Sequence, residues 1–287
     1  MKTPFNKMNG LGNKIIVADM RENTYALTPQ AIFALATDPQ TQFDQIMAIH
    51  PPLHDKADFR LEIWNADGSM ANACGNGTRC VIAWLTDNNL CNNLGEVFRL
   101  ETPAGIIEGK RKTDSLISVN MGCPNFNAKD MPVSHEIVDT NHVEITAGPL
   151  KDACLISVGN LHAIFFVESN IQHIPLEKYG PKLEHDPLFP ERCNISIACV
   201  TSKKSLNLRT WERGAGLTQA CGSAACASAV AAYRRGLTER HVDVNLPGGI
   251  LNIFYREDNH IIMTGPAQYE FSGFLNPLTG SYKKDHF

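Results

Sequence analysis

The chain of 287 residues is expected to be an α+β protein of two similar domains produced by tandem duplication, and three ordered self-matches predict this. Cys74 and Cys221 lie 147 residues apart; each follows Ala, precedes Gly, and has a Trp ten positions earlier, at Trp64 and Trp211. Asn13 in GLGNKIIVAD and Asn160 in SVGNLHAIFFV share that offset, each standing after Gly and before an apolar run. Further on, TPAGIIEG from Thr102 echoes LPGGILNI from Leu246 with the offset reduced to 144, as a three-residue deletion after the second helix would produce. Self-similarity at a fixed long period is the mark of a repeated structural unit. Paired halves usually relate by an approximate two-fold axis, so the two Cys-Gly turns are expected to converge.

The elements follow from local pattern. Short runs rich in Val, Ile and Phe, punctuated by Gly, Pro and Asn, read as strands: FRLEIW (59–64), CLISV (154–158), AIFFV (163–167), LNLRTW (206–211), HVDVNL (241–246) and ILNIFY (250–255). Each half has one expected helix, following its cysteine, over about 77–87 and about 223–235. The second is rich in Ala and Ser and apolar nearly all round, which predicts a helix enclosed by strands.

Composition narrows the function classes. A net charge of −4 with no run of basic residues longer than the three of Lys110, Arg111 and Lys112 makes nucleic acid and acidic membranes poor partners. The N-terminus lacks an apolar leader-like stretch, and no apolar run reaches the length of a membrane span. A cytoplasmic protein is expected. Nine cysteines without regular dense spacing suggest free thiols in a reducing compartment, most of them inert packing residues. That reading covers Cys80, Cys91, Cys123, Cys154, Cys193, Cys199 and Cys226.

The duplicated cysteines are different. Each sits at a Gly-containing turn leading into a helix, where unpaired N–H groups and the positive end of the helix dipole are expected to lower the thiol pKa and to hold an anion. Two such turns facing each other would grip one carboxylate and place a sulfur on each side of the adjacent carbon. That suits inversion of a stereocentre next to a carboxylate: one thiolate removes the α-proton and the opposite thiol delivers a proton to the other face. No lysine stands out as a pyridoxal anchor, so preorganised donors would have to stabilise the carbanion. A zinc site from Cys74, Cys80, Cys221 and Cys226 has spacings that fit the usual knuckles poorly; no metal is expected. GNGTRC lacks the third glycine of a dinucleotide fingerprint.

The motifs KMNGLGN, FDQ (43–45), NADGSMANACGNGTRC, GNLH, ERCN and ERGAGLTQACGSAACA together resemble the diaminopimelate epimerase family, in order and over almost the whole chain. The resemblance implies a cofactor-independent enzyme that interconverts LL- and meso-2,6-diaminopimelate for lysine and peptidoglycan synthesis. It also implies two similar β-barrel-like sheets, each wrapped around a central helix. The expected domains are residues 1–119 with 267–287, and 120–266. The family's acid and base match Cys74 and Cys221, and its contacts to the reacting carboxylate match Gly75, Asn76, Gly222 and Ser223. Its substrate-holding residues match Asn13, Gln45, Asn65, Asn160, Asn194, Glu212 and Arg213. His162 and Glu212 match positions that tune the thiols, and Phe271 stands where the family has a tyrosine at a homodimer contact. A cation such as Arg213 and neutral amides suit the ammonium and carboxylate at the far end of the substrate.

Three positions depart from the family pattern: Lys14 for Asp in GLGND, Leu161 for Pro in GNPH, and Leu217 for Glu in GET. None carries a chemical step. The alternatives are a proline or hydroxyproline racemase of the same fold and a non-catalytic amino-acid-binding protein; ERGAG and the set of asparagines argue against the first.

Overall fold

The structure is a computed structural model that describes residues 2–90, 96–168 and 170–285; Cys91 lies outside them. The chain forms two compact units, one running up to Val119 and resuming at Gly265, the other spanning Asn120–Thr264.

The first unit contains β1 (Thr3–Gly10), β2 (Asn13–Asp19), α1 (Pro29–Thr37), β3 (Gln45–His50), β4 (Phe59–Asn65), α2 (Gly75–Asp87), β5 (Phe98–Thr102), β6 (Gly105–Arg111) and β7 (Leu116–Asn120), which ends at the boundary. The second contains β8 (Cys154–Ser157), β9 (Leu161–Phe166), α3 (Leu176–Glu184), β10 (Asn194–Ser202), β11 (Ser205–Glu212), β12 (Gly216–Leu217), α4 (Gly222–Arg234), β13 (His241–Leu246), β14 (Gly249–Tyr255) and β15 (Ile261–Pro266). The chain then returns to the first unit as β16 (Gln268–Leu275) and β17 (Tyr282–Lys284).

The duplication is written in the pairing. In the first unit β1 and β2 are antiparallel, β2 and β3 parallel, β3 and β4 antiparallel, β4 and β5 parallel, β5 and β6 antiparallel. The second unit repeats that alternation through β8, β9, β10, β11, β13 and β14. Registers repeat too: Phe59 pairs with Leu100 as Leu206 pairs with Val244, and Thr102 pairs with Gly105 as Leu246 pairs with Gly249. The drop in offset from 147 to 144 therefore falls between α4 and β13.

Each unit wraps its strands around one central helix. Every residue from Asn76 to Leu85 of α2 is buried, and α4 is buried from Gly222 to Ala232 apart from Ser223. The strands β8, β9, β10, β11, β13 and β14 all touch α4. A helix surrounded in this way has no solvent face to reserve for polar residues, hence its apolar circumference. Small Ala side chains let the strands close in on it.

Two expectations need correction. The central helices begin at Gly75 and Gly222, slightly before the expected starts, because Cys74 and Cys221 are themselves the N-cap residues. Each unit also has a second helix that the strand-dominated reading omitted. The signals for α1 were present: Thr28 caps it by accepting the Ala31 N–H, and Pro29 opens it. α3 lies 147 residues further on and has the same length. These helices cover the cores around Phe5, Ile16 and Ile46 in the first unit and around Phe165, Ile195 and Ile197 in the second.

Candidate active site

In the first unit the chemistry gathers at one end of β2, β3 and β4. The turn from β1 to β2 consists of Leu11 and Gly12, with φ of 63° and 89°, the left-handed pair that a two-residue hairpin turn demands. It delivers Asn13 to the head of β2. Parallel pairing sets Ile15 beside Gln45, and antiparallel pairing sets Gln45 opposite Asn65. Helix α2 starts at the same end. A Cβ on Gly10 would lie 3.2 Å from the Cβ and the carbonyl oxygen of Asn76, so Gly10 allows the hairpin to lie close against the first turn of α2.

Cys74 has extended backbone, and its sulfur accepts the Gly77 N–H at 3.2 Å. The thiol donates to Gln45 Oε1 at 2.8 Å, with Asn13 Oδ1 at 3.8 Å. Around these run supporting bonds. Gln45 Nε2 donates to Asn65 Oδ1 at 3.2 Å, and Asn65 Nδ2 donates to Ser69 Oγ at 2.9 Å. Asp44 Oδ2 accepts both Asn13 Nδ2 at 2.8 Å and the Lys14 N–H at 2.7 Å, which turns the Asn13 carbonyl toward the sulfur. Asp44 was not among the expected site residues, although it is the middle letter of FDQ. Lys14 sends its ammonium to Gln42 Oε1.

The second unit builds a counterpart at the heads of β9 and β10 and the end of β11. Asn160 follows Gly159, whose φ is 92°. His162 is in register with Asn194, and Ile195 with Trp211, so Glu212 and Arg213 emerge beside them. Cys221 is extended and caps α4 without accepting a side-chain cap bond. Its sulfur lies 3.5 Å from Ser223 Oγ. Asn160 Nδ2 donates to that hydroxyl at 3.4 Å, and Asn160 Oδ1 lies 2.9 Å from His162 Nε2. An amide oxygen only accepts, so His162 carries its proton on Nε2. His162 is fully buried, and burial, aided by the nearby Arg213, pushes its pKa down to about 3; the ring is neutral.

Asn194 is buried, with both ends of its amide occupied: Nδ2 donates to the Leu161 carbonyl and Oδ1 accepts the Arg213 N–H, each at 3.0 Å. Arg213 is exposed and donates to the Glu191 carbonyl at 3.2 Å. Glu212 accepts from Thr218 Oγ1 at 2.6 Å.

The thiol expectation is overturned at Cys221. Burial and then the Glu212 carboxylate hold its pKa well above the ordinary value, against the lowering pull of Ser223 and of the Ala224 N–H. Proximity to a helix start does not decide the matter. The remaining expected residues divide plainly: Asn13, Gln45, Asn65, Gly75 and Asn76 surround or adjoin Cys74, and Asn160, His162, Asn194, Glu212, Arg213, Gly222 and Ser223 surround or adjoin Cys221. Phe271 belongs to another neighbourhood. It packs edge-on against Phe5 at 5.9 Å with the Lys284 ammonium 4.0 Å from its ring. Cys80 is fully buried inside α2, its pKa pushed up to about 12 by burial. Leu161 is buried in β9, and Leu217 pairs with Trp211.

The family model described as diaminopimelate epimerase matches residues 5–127 and 154–270. A protein named diaminopimelate epimerase from Bartonella quintana is 84% identical over 100% of both chains. One of the same name from Brucella anthropi is 52% identical over 99% of this chain and 95% of its own. Among solved structures, a PhzF-family phenazine biosynthesis protein from Bacillus anthracis has a TM-score of 0.68 at 16% identity, covering 96% of this chain and 99% of its own. A hydroxyproline epimerase from Agrobacterium vitis has a TM-score of 0.65 at 14% identity, covering 98% and 94%. At such identities the last two establish likeness of fold alone.

Proposed function

The chain belongs to the diaminopimelate epimerase family, and from that premise we propose that it inverts one α-carbon of 2,6-diaminopimelate, between the LL and meso forms, with Cys74 and Cys221 as the two proton-transfer groups and no cofactor. The observation that carries the assignment is the repeated setting: in each unit a cysteine caps the buried central helix, beside an Asn that heads the equivalent strand.

The chemistry follows from what surrounds each sulfur. The resting Cys221, kept protonated by burial and by Glu212, is the proton donor when Cys74 acts as base. In the reverse direction the roles exchange. As Cys74 ionises, the Gly77 N–H already directed at its sulfur supports the thiolate. The N–H groups and the positive dipole end at the first turn of a helix suit a carboxylate, which supports Gly75, Asn76, Gly222 and Ser223 as holders of the reacting end. There they would also stabilise the charge that develops when the α-proton leaves. Arg213, exposed at the end of β11, suits the distal carboxylate, and the amides of Asn13, Gln45, Asn65 and Asn160 add polar contacts without charge. The reading extends to a cytoplasmic homodimer with Phe271 at the contact. Exposed Tyr269 and Phe274 on the same strand support that surface, and sedimentation tests it.

The deciding experiment is proton NMR of LL-diaminopimelate with the protein in D2O. Wild type is expected to exchange the α-proton and produce the meso form, whereas Cys74→Ala and Cys221→Ala are each expected to be slower by about 10²–10⁴-fold. Near-normal turnover in either variant would end the two-thiol reading. Exchange into hydroxyproline instead would indicate the racemase alternative, and no exchange at all a binding protein.

A further inference from the structure

Glu184, the last residue of α3, is 3% exposed, and no role described so far uses it. Its two oxygens face two different donors. Oε2 accepts the Trp211 indole N–H at 2.7 Å, and Oε1 accepts the Gly214 backbone N–H at 2.9 Å, with the Arg192 guanidinium 3.8 Å from Oε1. Trp211 and Gly214 bracket Glu212 and Arg213. One helical turn back, Gly180 shares a face with Glu184. A Cβ at Gly180 would lie 2.5 Å from Cγ of the Trp211 ring, so the missing side chain is what lets the indole settle on α3. Gly180 and Glu184 together make a seat for Trp211.

The turn held by this seat is loose by composition. Gly214 and Gly216 have φ of 74° and 81°; the Ala215 N–H closes the turn on the Glu212 carbonyl at 3.1 Å, and only a two-residue antiparallel pairing, Glu212 with Gly216 and Trp211 with Leu217, backs it. Glycines leave such a segment many conformations to lose. Beyond that short pairing its geometry is held from outside, by Glu184 on the Gly214 N–H and by the Asn194 amide on the Arg213 N–H.

We propose that Glu184 is a positioning residue that clamps both ends of the Glu212–Arg213 turn, setting the Glu212 carboxylate beside Cys221 and presenting Arg213 to the distal carboxylate of the substrate. The proposal rests on the roles given above to Glu212 and Arg213. Only a carboxylate meets both donors at once: in Glu184→Gln one oxygen becomes an NH2 group facing an N–H. The charged group acting on Cys221 is Glu212 from β11, opposed by the Ser223 hydroxyl and the Ala224 N–H of α4 itself. His162 from β9 is neutral and reaches the sulfur through Asn160 and Ser223.

The test uses the full-length chain with two variants, Glu184→Gln and Gly180→Ala; the second keeps every hydrogen-bonding group and moves only the indole. Three quantities are read: KM for diaminopimelate, the pH midpoint for alkylation of the Cys221 peptide by iodoacetamide, and the 15N-proton signal of the Trp211 indole. Both variants are expected to raise KM by about tenfold, the scale of one lost buried hydrogen bond. Both should shift the alkylation midpoint downward, as is expected of Glu212→Gln, and displace the indole signal. A displaced indole signal with KM and midpoint unchanged overturns the proposal, leaving Glu184 a purely structural residue. Loss of fold in both variants counts against it in the same way. If Glu212→Gln and Arg213→Met themselves leave midpoint and KM untouched, the failure belongs to the roles assigned to those two residues.

Discussion

At the scale of single residues, magnitude decides the state of Cys221. A helix terminus contributes about 0.3–1 kcal/mol to a nearby charge, less than one pKa unit at about 1.36 kcal/mol each, whereas full burial moves a group by up to about 3–5 units. Burial wins, and Glu212 adds to it. The helix start was legible in the sequence because capping is local, but the burial and the carboxylate arrive only when β11 and α4 pack. His162 gives a measurable counterpart. Its folded pKa of about 3 lies below the ordinary 6.5, so between those values the unfolded chain binds the extra proton. The stability contributed by the neutral ring is fully present above pH 6.5 and is lost as pH falls toward 3. Relative to His162→Gln, the wild type is expected to lose about 1.4 kcal/mol of unfolding free energy per pH unit through that window. Denaturant titrations of both proteins check it, and parallel curves would mean that the ring is accessible to protons in the folded state.

At the scale of elements, α4 and α1 are opposites. Ala227 is fully buried in a helix ringed by strands, while Phe33 on α1 is 68% exposed. Ala227→Leu adds volume with no open side to receive it and is expected to cost about 1–3 kcal/mol or more. Phe33→Ala should change stability by less than about 0.5 kcal/mol. Thermal unfolding of the pair distinguishes them, and a tolerated Ala227→Leu would show that the strands leave slack around the helix. The central helices were readable from their cysteines, glycines and apolar circumference. Of the other two, α1 carries a local signal in Thr28 and Pro29, whereas α3 has no capping side chain and shares with α1 only length and position, with little common sequence between TPQAIFALAT and PLEKYGPKLE. Glu184 was hidden for a related reason: its partners are 27 and 30 residues away and meet it only once the second sheet has formed.

At the scale of the whole molecule, chain continuity separates the two units. The stretch from Asn120 to Thr264 is unbroken and holds a complete core around Phe165, Ile195 and Ile197. The first unit is discontinuous. Its β1 pairs with β16 from Thr3 to Asn9, and Leu275, Phe271 and Tyr282 pack into the same cluster as Phe5. A continuous domain with its own core is able to fold alone. A fragment of residues 120–264 is therefore expected to unfold cooperatively in denaturant, whereas a fragment of residues 1–119 should fail to fold until a peptide covering 265–285 is added. The peptide would restore the antiparallel neighbour of β1 and the aromatic side of the core. Circular dichroism and denaturant unfolding of the two fragments, with and without the peptide, provide the measurement. A cooperative 1–119 fragment, or an unfolded 120–264 fragment, would show that the division into units seen in the contacts is not a division in folding.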